Sequence, residues 1–246
     1  MKSHFIREIG EMENTHWWHR TKRELISNIV RKQVGENEKK LKILEIGAGT
    51  GMLIKEFAHD SITFALDRNK SALALCKING IEHIIRADFG TYEDYKKNYF
   101  DIIVAGDVLE HLENDMAAVR KVFSMLKKGG LFVIHVPADP KLFSYWDRAL
   151  SHFRRYEKKE LERLLKKNKF NISFISYRLS ALHPFVSFFR KIKSNKNQTE
   201  ESSDFDHLGI MNEPLYRFTK FEDTLILSKR IKPKTGLSLF AIAQKK

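Results

Sequence analysis

The chain has 246 residues, and 42% of them are hydrophobic, which is enough for the core of one large domain and too many for a disordered chain. Its formal net charge is +13, but no long run of basic residues with interleaved aromatics occurs, so we favour a lysine-rich surface over a nucleic-acid track. Attraction of an anionic lipid or a phosphorylated substrate stays open. The single cysteine, Cys76, excludes an intramolecular disulfide framework, and we expect it to be a buried structural thiol.

The first residues form the charged run MKSHFIREIGEME, which lacks the apolar core of a signal peptide. No uninterrupted apolar stretch approaches the ~20 residues needed to span a bilayer. The sequence therefore predicts a cytoplasmic protein.

Secondary structure is predicted from the spacing of apolar residues. Residues 11–34 have helical periodicity, with Trp17 and Leu25 on the apolar stripe. Strand-like and helix-like segments then alternate as far as Pro137, which predicts a parallel sheet with helices on both faces. Strands are predicted from Leu41 and at 61–66, 81–87, 100–105, 131–137, 170–177 and 236–244. Helices are predicted at 141–168 and 212–229, and the polar segment 194–206 is predicted to be a loop.

Three glycines, Gly47, Gly49 and Gly51, lie where the first predicted strand meets a helix-like segment (LKILEIGAGTGMLIKEF). Such a turn lets backbone N–H groups and a helix N-terminus approach a nucleotide-like ligand. The dinucleotide fingerprint G-x-G-x-x-G is not matched, because Met52 occupies the position of its last glycine, and no P-loop motif occurs. The form E-x-G-x-G-x-G, starting at Glu45, instead resembles the first motif of class I S-adenosylmethionine (SAM)-dependent methyltransferases.

Further matches to this family follow at the expected distances. Asp67 ends the second predicted strand, about 20 residues past the glycines, where a nucleotide-binding α/β fold places a carboxylate for ribose hydroxyls. The segments 106–112 (GDVLEHL) and 126–130 (LKKGG) closely resemble signatures of the small-molecule methyltransferases of ubiquinone and menaquinone biosynthesis. The resemblance covers residues 41–137.

The resemblance implies an α/β fold with a doubly wound, Rossmann-like, seven-stranded sheet that is mostly parallel and has an antiparallel last strand. It implies a single methyltransferase domain over residues 1–246. Within it we expect an N-terminal helical cap at 1–40, a SAM-binding core at 41–178 and 236–246, and a helical lid at 179–235. Because open α/β sheets bind ligands at the carboxyl ends of their strands, cap and lid are expected to select the substrate there.

The resemblance also implies which residues hold the cofactor. The glycine turn would take the methionine part of SAM, Asp67 the ribose, and Asp88 with Phe89 the adenine. For Glu45, contact with the SAM ammonium group and a purely bracing role in the turn stay equally open. The predicted cofactor-binding residues are Glu45, Gly47, Ala48, Gly49, Gly51, Asp67, Arg68, Asp88, Phe89 and Asp107.

Asp107 and His111 are the predicted catalytic residues, because the family signature places the first of them by the cofactor or substrate. His111 suits a base, since an imidazole titrates near ~6.5. The alternative is a histidine packed against the cofactor without acid–base duty. A metal pair of Glu110 and His111 is disfavoured, because neighbouring helical residues diverge and no third ligand is evident. The expected cofactor is therefore SAM, with S-adenosylhomocysteine as product and no metal.

An H-x-R-R-Y cluster at 152–156 resembles that of a subgroup of uncharacterised bacterial methyltransferases. Two adjacent guanidinium groups with an imidazole and a phenol can clamp a phosphate or carboxylate. The alternative is a helix-start cluster that pairs with neighbouring acids and packs its tyrosine in the core. The predicted substrate-binding residues are Trp18, Tyr145, His152, Arg154, Arg155 and Tyr156. In residues 179–193 aromatic and basic residues alternate, so a lipid-like substrate or peripheral membrane contact competes with a lid helix packed on the core.

The favoured function is methyl transfer from SAM to O, N or C of a small-molecule or lipid-linked acceptor, with a preference for an anionic one. A nucleic-acid methyltransferase is disfavoured, because residues 107–110 read DVLE instead of the [DNS]-P-P-[FYW] motif that grips an extruded base. A non-catalytic SAM-binding module stays open. The sequence indicates neither the acceptor nor the oligomeric state.

Overall fold

A computed structural model describes residues 12–34, 40–193 and 209–246 of the chain. Its centre is a seven-stranded sheet with the strand order β3-β2-β1-β4-β5-β7-β6. The strands are β1 (Lys42–Ile46), β2 (Ile62–Asp67), β3 (His83–Arg86), β4 (Phe100–Gly106), β5 (Leu126–Pro137), β6 (Phe170–Arg178) and β7 (Ser238–Lys245). The first five strands are parallel, and β7 runs antiparallel between β5 and β6, as predicted.

The strand order creates a crevice beside β1. From β1 the chain proceeds outward through β2 to β3, then returns to β4 on the other side of β1 and continues outward to β5. Open α/β sheets bind ligands at the carboxyl ends of the strands where the order reverses in this way. The glycine turn directly follows β1 and Asp107 directly follows β4, so both lie at this reversal.

Helices cover both faces of the sheet; within the described residues, seven have the bounds given below, and residues 12–15 are also helical. The seven are α1 (Trp17–Val34), α2 (Lys70–Ile78), α3 (Asp115–Met125), α4 (Tyr145–Ala149), α5 (Lys158–Lys167), α6 (His183–Lys193) and α7 (Asn212–Leu227). One face packs against α1 and α2 through residues such as Ile26 and Leu73. The other packs against α3 and α5 through residues such as Val122 and Leu161.

In the segment after the glycine turn, the predicted amphipathic helix does not form. Residues 52–61 contain a single 3₁₀ turn, Ile54–Phe57. These ten residues must span the distance from the glycine turn back to the start of β2. A 3₁₀ helix suits this short connection, because it rises more per residue than an α-helix. The N–H of Ile54 is held by the Glu45 carboxylate at 3.1 Å.

Residues 141–168 do not form one helical segment, so this prediction is wrong. The 3₁₀ turn Pro140–Leu142 and the short helix α4 come first, and α5 begins only at Lys158. The intervening chain leaves helical geometry because Tyr156 pairs its backbone with Pro137 and Asp139. β5 also begins earlier than predicted, at Leu126, so it includes the LKKGG segment.

The predicted loop 194–206 lies outside the described residues. Among the helices that are described, none combines the length and the apolar character that crossing a membrane would require.

Candidate active site

The glycine turn after β1 is held in a conformation that suits glycine. Gly47, Gly49 and Gly51 all have positive φ, at 66°, 53° and 78°. A Cβ on Gly47 would lie 2.7 Å from Val108 Cγ2, and a Cβ on Gly51 would lie 2.8 Å from Cys76 Sγ. The turn therefore needs glycine for its backbone angles and for the close approach of its neighbours. Burial raises the pKa of the Cys76 thiol to about 12, so this cysteine is the buried structural residue that was expected.

Asp67 joins the end of β2 to the glycine turn. Its Oδ2 accepts a hydrogen bond from the Gly49 N–H at 2.9 Å, and its Oδ1 accepts one from the Asn69 N–H at 2.8 Å. A carboxylate has about four acceptor positions, so each oxygen keeps a free one for a ligand hydroxyl. Asp67 is thus at the rim of the turn, where the sequence predicts the ribose of the cofactor.

A cavity opens beside the glycine turn, between it and the N-terminal helix α1. Its walls are Glu13, His19, Lys22, Arg23, Ile26, Glu45, Gly47, Ala48, Gly49, Met52, Leu53 and Gly106. Burial raises the pKa of Glu45 to about 8, and the neighbouring Glu13 adds to this. The Glu13 carboxylate, whose pKa burial also raises, accepts a hydrogen bond from the Thr50 hydroxyl. Acidic and basic groups therefore meet at one cavity.

Helix α1 contributes the basic groups of this cavity. The Arg23 guanidinium donates to the Glu13 backbone carbonyl at 2.8 Å and pairs with Glu56 at 3.2 Å. Trp17 is fully buried and anchors the start of the helix, whereas Trp18 is half-buried. Trp17 thus packs as the apolar stripe predicts, and the substrate role of Trp18 stays a prediction.

Asp107 follows β4 with a positive φ of 58° and is held from two sides. Its Oδ2 accepts from Lys22 Nζ at 2.7 Å, and its Oδ1 contacts His135 Nδ1 at 2.7 Å. Burial alone would raise the pKa of this carboxyl, but Lys22 and His135 hold it well below its usual range. Asp107 is thus a fixed anion at the carboxyl end of β4.

Behind Asp107 a chain of buried polar groups crosses the sheet. His135 on β5 is fully buried, burial lowers its pKa, and its Nε2 faces the Arg178 guanidinium at 3.5 Å. Because arginine only donates, His135 accepts at Nε2 and donates from Nδ1 to Asp107. Arg178 in turn makes a bidentate pair with Asp223 of α7, with both distances 2.8 Å. Helix α7 is thereby tied to the cleft.

The turn after Asp107 places Glu110 and His111 beside the H-x-R-R-Y cluster. Burial and the charge of Asp107 raise the pKa of the Glu110 carboxyl well above its usual range. Burial lowers the pKa of His111, so the imidazole is neutral at pH 7 and able to accept a proton. The His111 ring packs edge-on against the His152 ring, with centroids 4.5 Å apart. His111 and Asp107 thus lie in one region, and their catalytic roles stay predictions.

The other members of the cluster contact acidic side chains and the core. Arg154 pairs with Asp115 at 2.7 Å, and the buried Arg155 pairs with Asp147 at 2.7 Å. Tyr156 is fully buried and donates to Asp115 at 2.9 Å. These contacts are those expected for the alternative in which the cluster pairs with neighbouring acids and packs its tyrosine in the core. The substrate-binding roles stay predictions. The side chain of Tyr145, at the start of α4, is exposed.

The residues predicted to hold the adenine lie on the far side of β2. Asp88 accepts from the Gly90 N–H at 2.8 Å and lies 3.8 Å from the exposed Arg68 guanidinium. Phe89 is buried in the core, and the Lys121 ammonium lies 5.0 Å from the centre of its ring. Asp88 is thus presented to solvent beside Asp67, and Phe89 lies beneath it.

Sequence reasoning missed Glu13, Lys22, His135, Arg178 and Asp223. Only His135 carried a visible signal, as the one ionisable side chain in the apolar run LFVIHVP. The others lie far along the chain from the residues they contact, so no local pattern marks them.

These residues fit SAM. The acidic side chains of Glu13 and Glu45 can accept hydrogen bonds from an amino acid's ammonium group, and the Arg23 cation suits its carboxylate. Asp67 offers free acceptor positions for ribose hydroxyls. The space that a Cβ would fill at Gly47 and Gly51 is already occupied by neighbouring side chains, so the turn is shaped closely around its backbone.

Residues 17–173 match the model of the methyltransferase domain family. A ubiquinone biosynthesis O-methyltransferase of Marinobacter nauticus is 27% identical over 111 residues, which are 42% of this chain and 47% of that protein. The chain spans about half the length of the curated relatives it matches.

Solved structures share the fold. A SAM-dependent methyltransferase from Archaeoglobus fulgidus superposes with a TM-score of 0.59 at 18% identity, covering 97% of this chain and 99% of that one. The phosphoethanolamine N-methyltransferase 2 of Haemonchus contortus, in complex with phosphomonomethylethanolamine and S-adenosylhomocysteine, gives 0.57 at 16% identity over 89% of this chain and 52% of that one. The match over residues 17–173 shows that the chain belongs to the methyltransferase domain family.

Proposed function

We propose that the chain transfers a methyl group from SAM to an O, N or C atom of a small-molecule acceptor. The observation that carries the proposal is the pairing of the glycine turn with Asp67, at the point where the strand order reverses. When bound, SAM supplies an electrophilic methyl group on a sulfonium. The names of the ubiquinone O-methyltransferase relatives favour a small-molecule acceptor.

In this proposal the described residues bind and orient the two reactants. Gly47, Gly49 and Glu45 hold the amino-acid end of the cofactor, and Asp67 holds the ribose. Asp107, fixed by Lys22 and His135, keeps a negative charge at the cleft without changing its protonation. His111 can take a proton from the acceptor, because burial keeps its imidazole neutral. Holding two reactants in line is the main contribution a protein makes to such a displacement.

The test is transfer of label from methyl-labelled SAM into a host extract that is then separated into small-molecule, lipid, protein and RNA fractions. Label in the small-molecule fraction that is lost with Asp67→Ala supports the proposal. The matched control is Asp60→Ala, because the Asp60 carboxylate contacts the exposed His59 imidazole and lies outside the cleft. Label confined to RNA would make the basic surface a nucleic-acid site and overturn the proposal. Tight SAM binding with no label in any fraction would favour a non-catalytic SAM-binding module.

A further inference from the structure

Helices α6 and α7 carry large apolar side chains on the outside of the molecule. Five of their phenylalanines are between 44% and 64% exposed: Phe185, Phe188, Phe189, Phe218 and Phe221. Single exposed apolar residues are normal on a protein surface, but a group of large ones marks a site of interaction. We call these five side chains the phenylalanine surface.

The core does not need these phenylalanines to hold the two helices. Phe185, Phe188 and Phe189 have the i, i+3, i+4 spacing of one face of a helix. Val186, between them in the chain, instead packs in the same small cluster as Leu215 of α7. Both helices are therefore attached through their other sides, and the phenylalanine surface remains available to a partner.

A run of exposed basic side chains directly follows α7. Four of them lie in the connection to β7, which contains no acidic residue: Lys229, Arg230, Lys232 and Lys234. Helix α6, with the sequence HPFVSFFRKIK, has no acidic residue either. Clusters of about four or more basic residues beside an amphipathic helix are typical of segments that bind anionic lipid head groups. Apolar and cationic groups therefore occur together in this part of the chain.

We propose that the phenylalanine surface docks on an anionic lipid bilayer, where residues 229–234 contact the head groups. Phenylalanines of an interfacial helix enter the boundary between the head groups and the acyl chains, and basic side chains add electrostatic attraction. The net charge of +13 favours such a partner. The same charge disfavours a second copy of this chain, because like charges would repel each other across the interface.

Helix α6 begins beside the cleft. Strands β5 and β6 both run antiparallel to β7, so their carboxyl ends lie at the same edge of the sheet. Asp139, just after β5, contacts the first residue of α6, with its Oδ2 2.7 Å from His183 Nε2. The Arg190 guanidinium, further along α6, also donates to the Leu142 carbonyl. Docking of α6 therefore holds the carboxyl edge of the sheet, and the cleft at this edge, close to the lipid surface.

The experiment is flotation of the chain with vesicles of phosphatidylcholine alone or of phosphatidylcholine mixed with phosphatidylglycerol. The unmodified chain is expected to float with the mixed vesicles and to be released as salt is raised, because salt screens the attraction to the head groups. Phe188→Ser should weaken this binding about tenfold, because one large side chain no longer enters the lipid. Ile78→Ser on α2 is the matched control, since Ile78 is 79% exposed outside the phenylalanine surface, and it should bind like the unmodified chain.

Reversal of two charges tests the basic residues independently of the phenylalanines. Lys232→Glu combined with Lys234→Glu should weaken binding to the mixed vesicles at least about tenfold. Lys166→Glu combined with Lys167→Glu changes the net charge equally and is the matched control. Both of these lysines are exposed on α5, which packs on the opposite face of the sheet from α7, so this variant should keep most of the binding.

The proposal is overturned if the unmodified chain does not float with the mixed vesicles, or if Phe188→Ser binds them as well as Ile78→Ser does. It is also overturned if sedimentation velocity shows a dimer that Phe188→Ser dissociates, because the phenylalanine surface then belongs to a second copy of the chain. Neither measurement uses SAM, so the outcome is independent of the proposed function.

Discussion

The two sides of the cleft, which we propose to bind the cofactor and the acceptor, are built in different ways. The cofactor side consists of the carboxyl ends of β1 and β2, the glycine turn and Asp67, and these lie within residues 42–67. The acceptor side consists of the carboxyl ends of β4 and β5, with Asp107, His135 and the helices packed on them. Its central contacts join Lys22 to Asp107 and Arg178 to Asp223, over 85 and 45 positions of chain.

This difference explains what each side can tolerate. The cofactor side depends on backbone shape, because its glycines have positive φ and close neighbours. The acceptor side depends on charge, because a fixed carboxylate is held by a lysine and a histidine from other elements. Substitutions that add one carbon should damage the first side most, and substitutions that remove one charge should damage the second.

The largest effect is expected from Gly47→Ala on the cofactor side. The new Cβ would lie 2.7 Å from Val108 Cγ2, and the alanine would have to adopt an unfavourable φ of 66°. Left-handed strain and overpacking together should lower the free energy of unfolding by about 3 kcal/mol, and SAM affinity should fall more than tenfold. Gly80→Ala is the matched control, since its φ is 81° and a Cβ would meet nothing within 4 Å. It should lose only about 1 kcal/mol in urea unfolding, with unchanged SAM affinity. Equal losses in the two variants would show that the contact with Val108 is irrelevant.

A somewhat smaller effect is expected from Lys22→Met on the acceptor side. Removing the lysine leaves Asp107 without its strongest partner, and the free energy of unfolding should fall by about 2 kcal/mol. Adding Asp107→Asn should restore part of this loss, because the partly buried charge is then gone as well. A double-mutant cycle in urea measures the coupling, which we expect to be about 1 kcal/mol. Strictly additive single losses would contradict a direct role for the pair.

On the cofactor side, the protonation state of Glu45 can be tested through the pH dependence of stability. Its pKa is raised to about 8 in the fold, so the folded state favours the protonated carboxyl. The stability that this contributes is complete below the unfolded value near ~4.5 and is lost as the pH rises through about 8. Glu45→Gln avoids this loss, so from pH 6 to pH 8 its stability should improve relative to the unmodified protein by about 2 kcal/mol. The exposed Glu82→Gln should show no such trend in urea unfolding at the two pH values. A constant difference between Glu45→Gln and the unmodified protein would mean that Glu45 is already ionised at pH 6.

The smallest effect is expected from Arg154→Gln at the edge of the acceptor side. Its guanidinium pairs with Asp115 and donates to the Glu113 carbonyl, with a quarter of the side chain exposed. Loss of this partly exposed pair should lower the free energy of unfolding by about 0.5–1 kcal/mol and leave SAM affinity unchanged. Urea unfolding and calorimetry on the same preparation measure both quantities. Weaker SAM binding in this variant would connect the cluster to the cofactor side.

The same difference decides what the sequence could predict. The glycine turn was predictable, because β1, the turn and Asp67 form a contiguous pattern whose spacing follows from strand and turn geometry. The parallel part of the sheet followed from the alternation of strands and helices, and the antiparallel last strand from the resemblance to a known family. The 3₁₀ turn after the glycines was not, since apolar spacing in residues 52–61 also suits a helix. Neither was the break before α5, where backbone pairing of Tyr156 with Pro137 overrides helical periodicity.

Residues of the acceptor side were predicted one at a time and without their partners. Asp107 could be predicted because it follows a strand-like run, but no sequence pattern around it indicates its contacts with Lys22 or the link to Arg178. His152 was seen as part of a basic cluster, whereas its position against His111 follows only from the fold. Contacts between distant segments are set by packing, and a single sequence does not record them.

Calorimetric titration of SAM into the unmodified chain, Asp67→Ala and Asp60→Ala tests the central claim most directly. If the glycine turn and Asp67 form the cofactor site, the unmodified chain and Asp60→Ala bind one equivalent of SAM. Asp67→Ala should then bind at least about tenfold more weakly, because it loses hydrogen bonds from a charged acceptor to the ligand and to Gly49. Equal affinity in all three proteins, or no binding by the unmodified chain, would contradict this assignment.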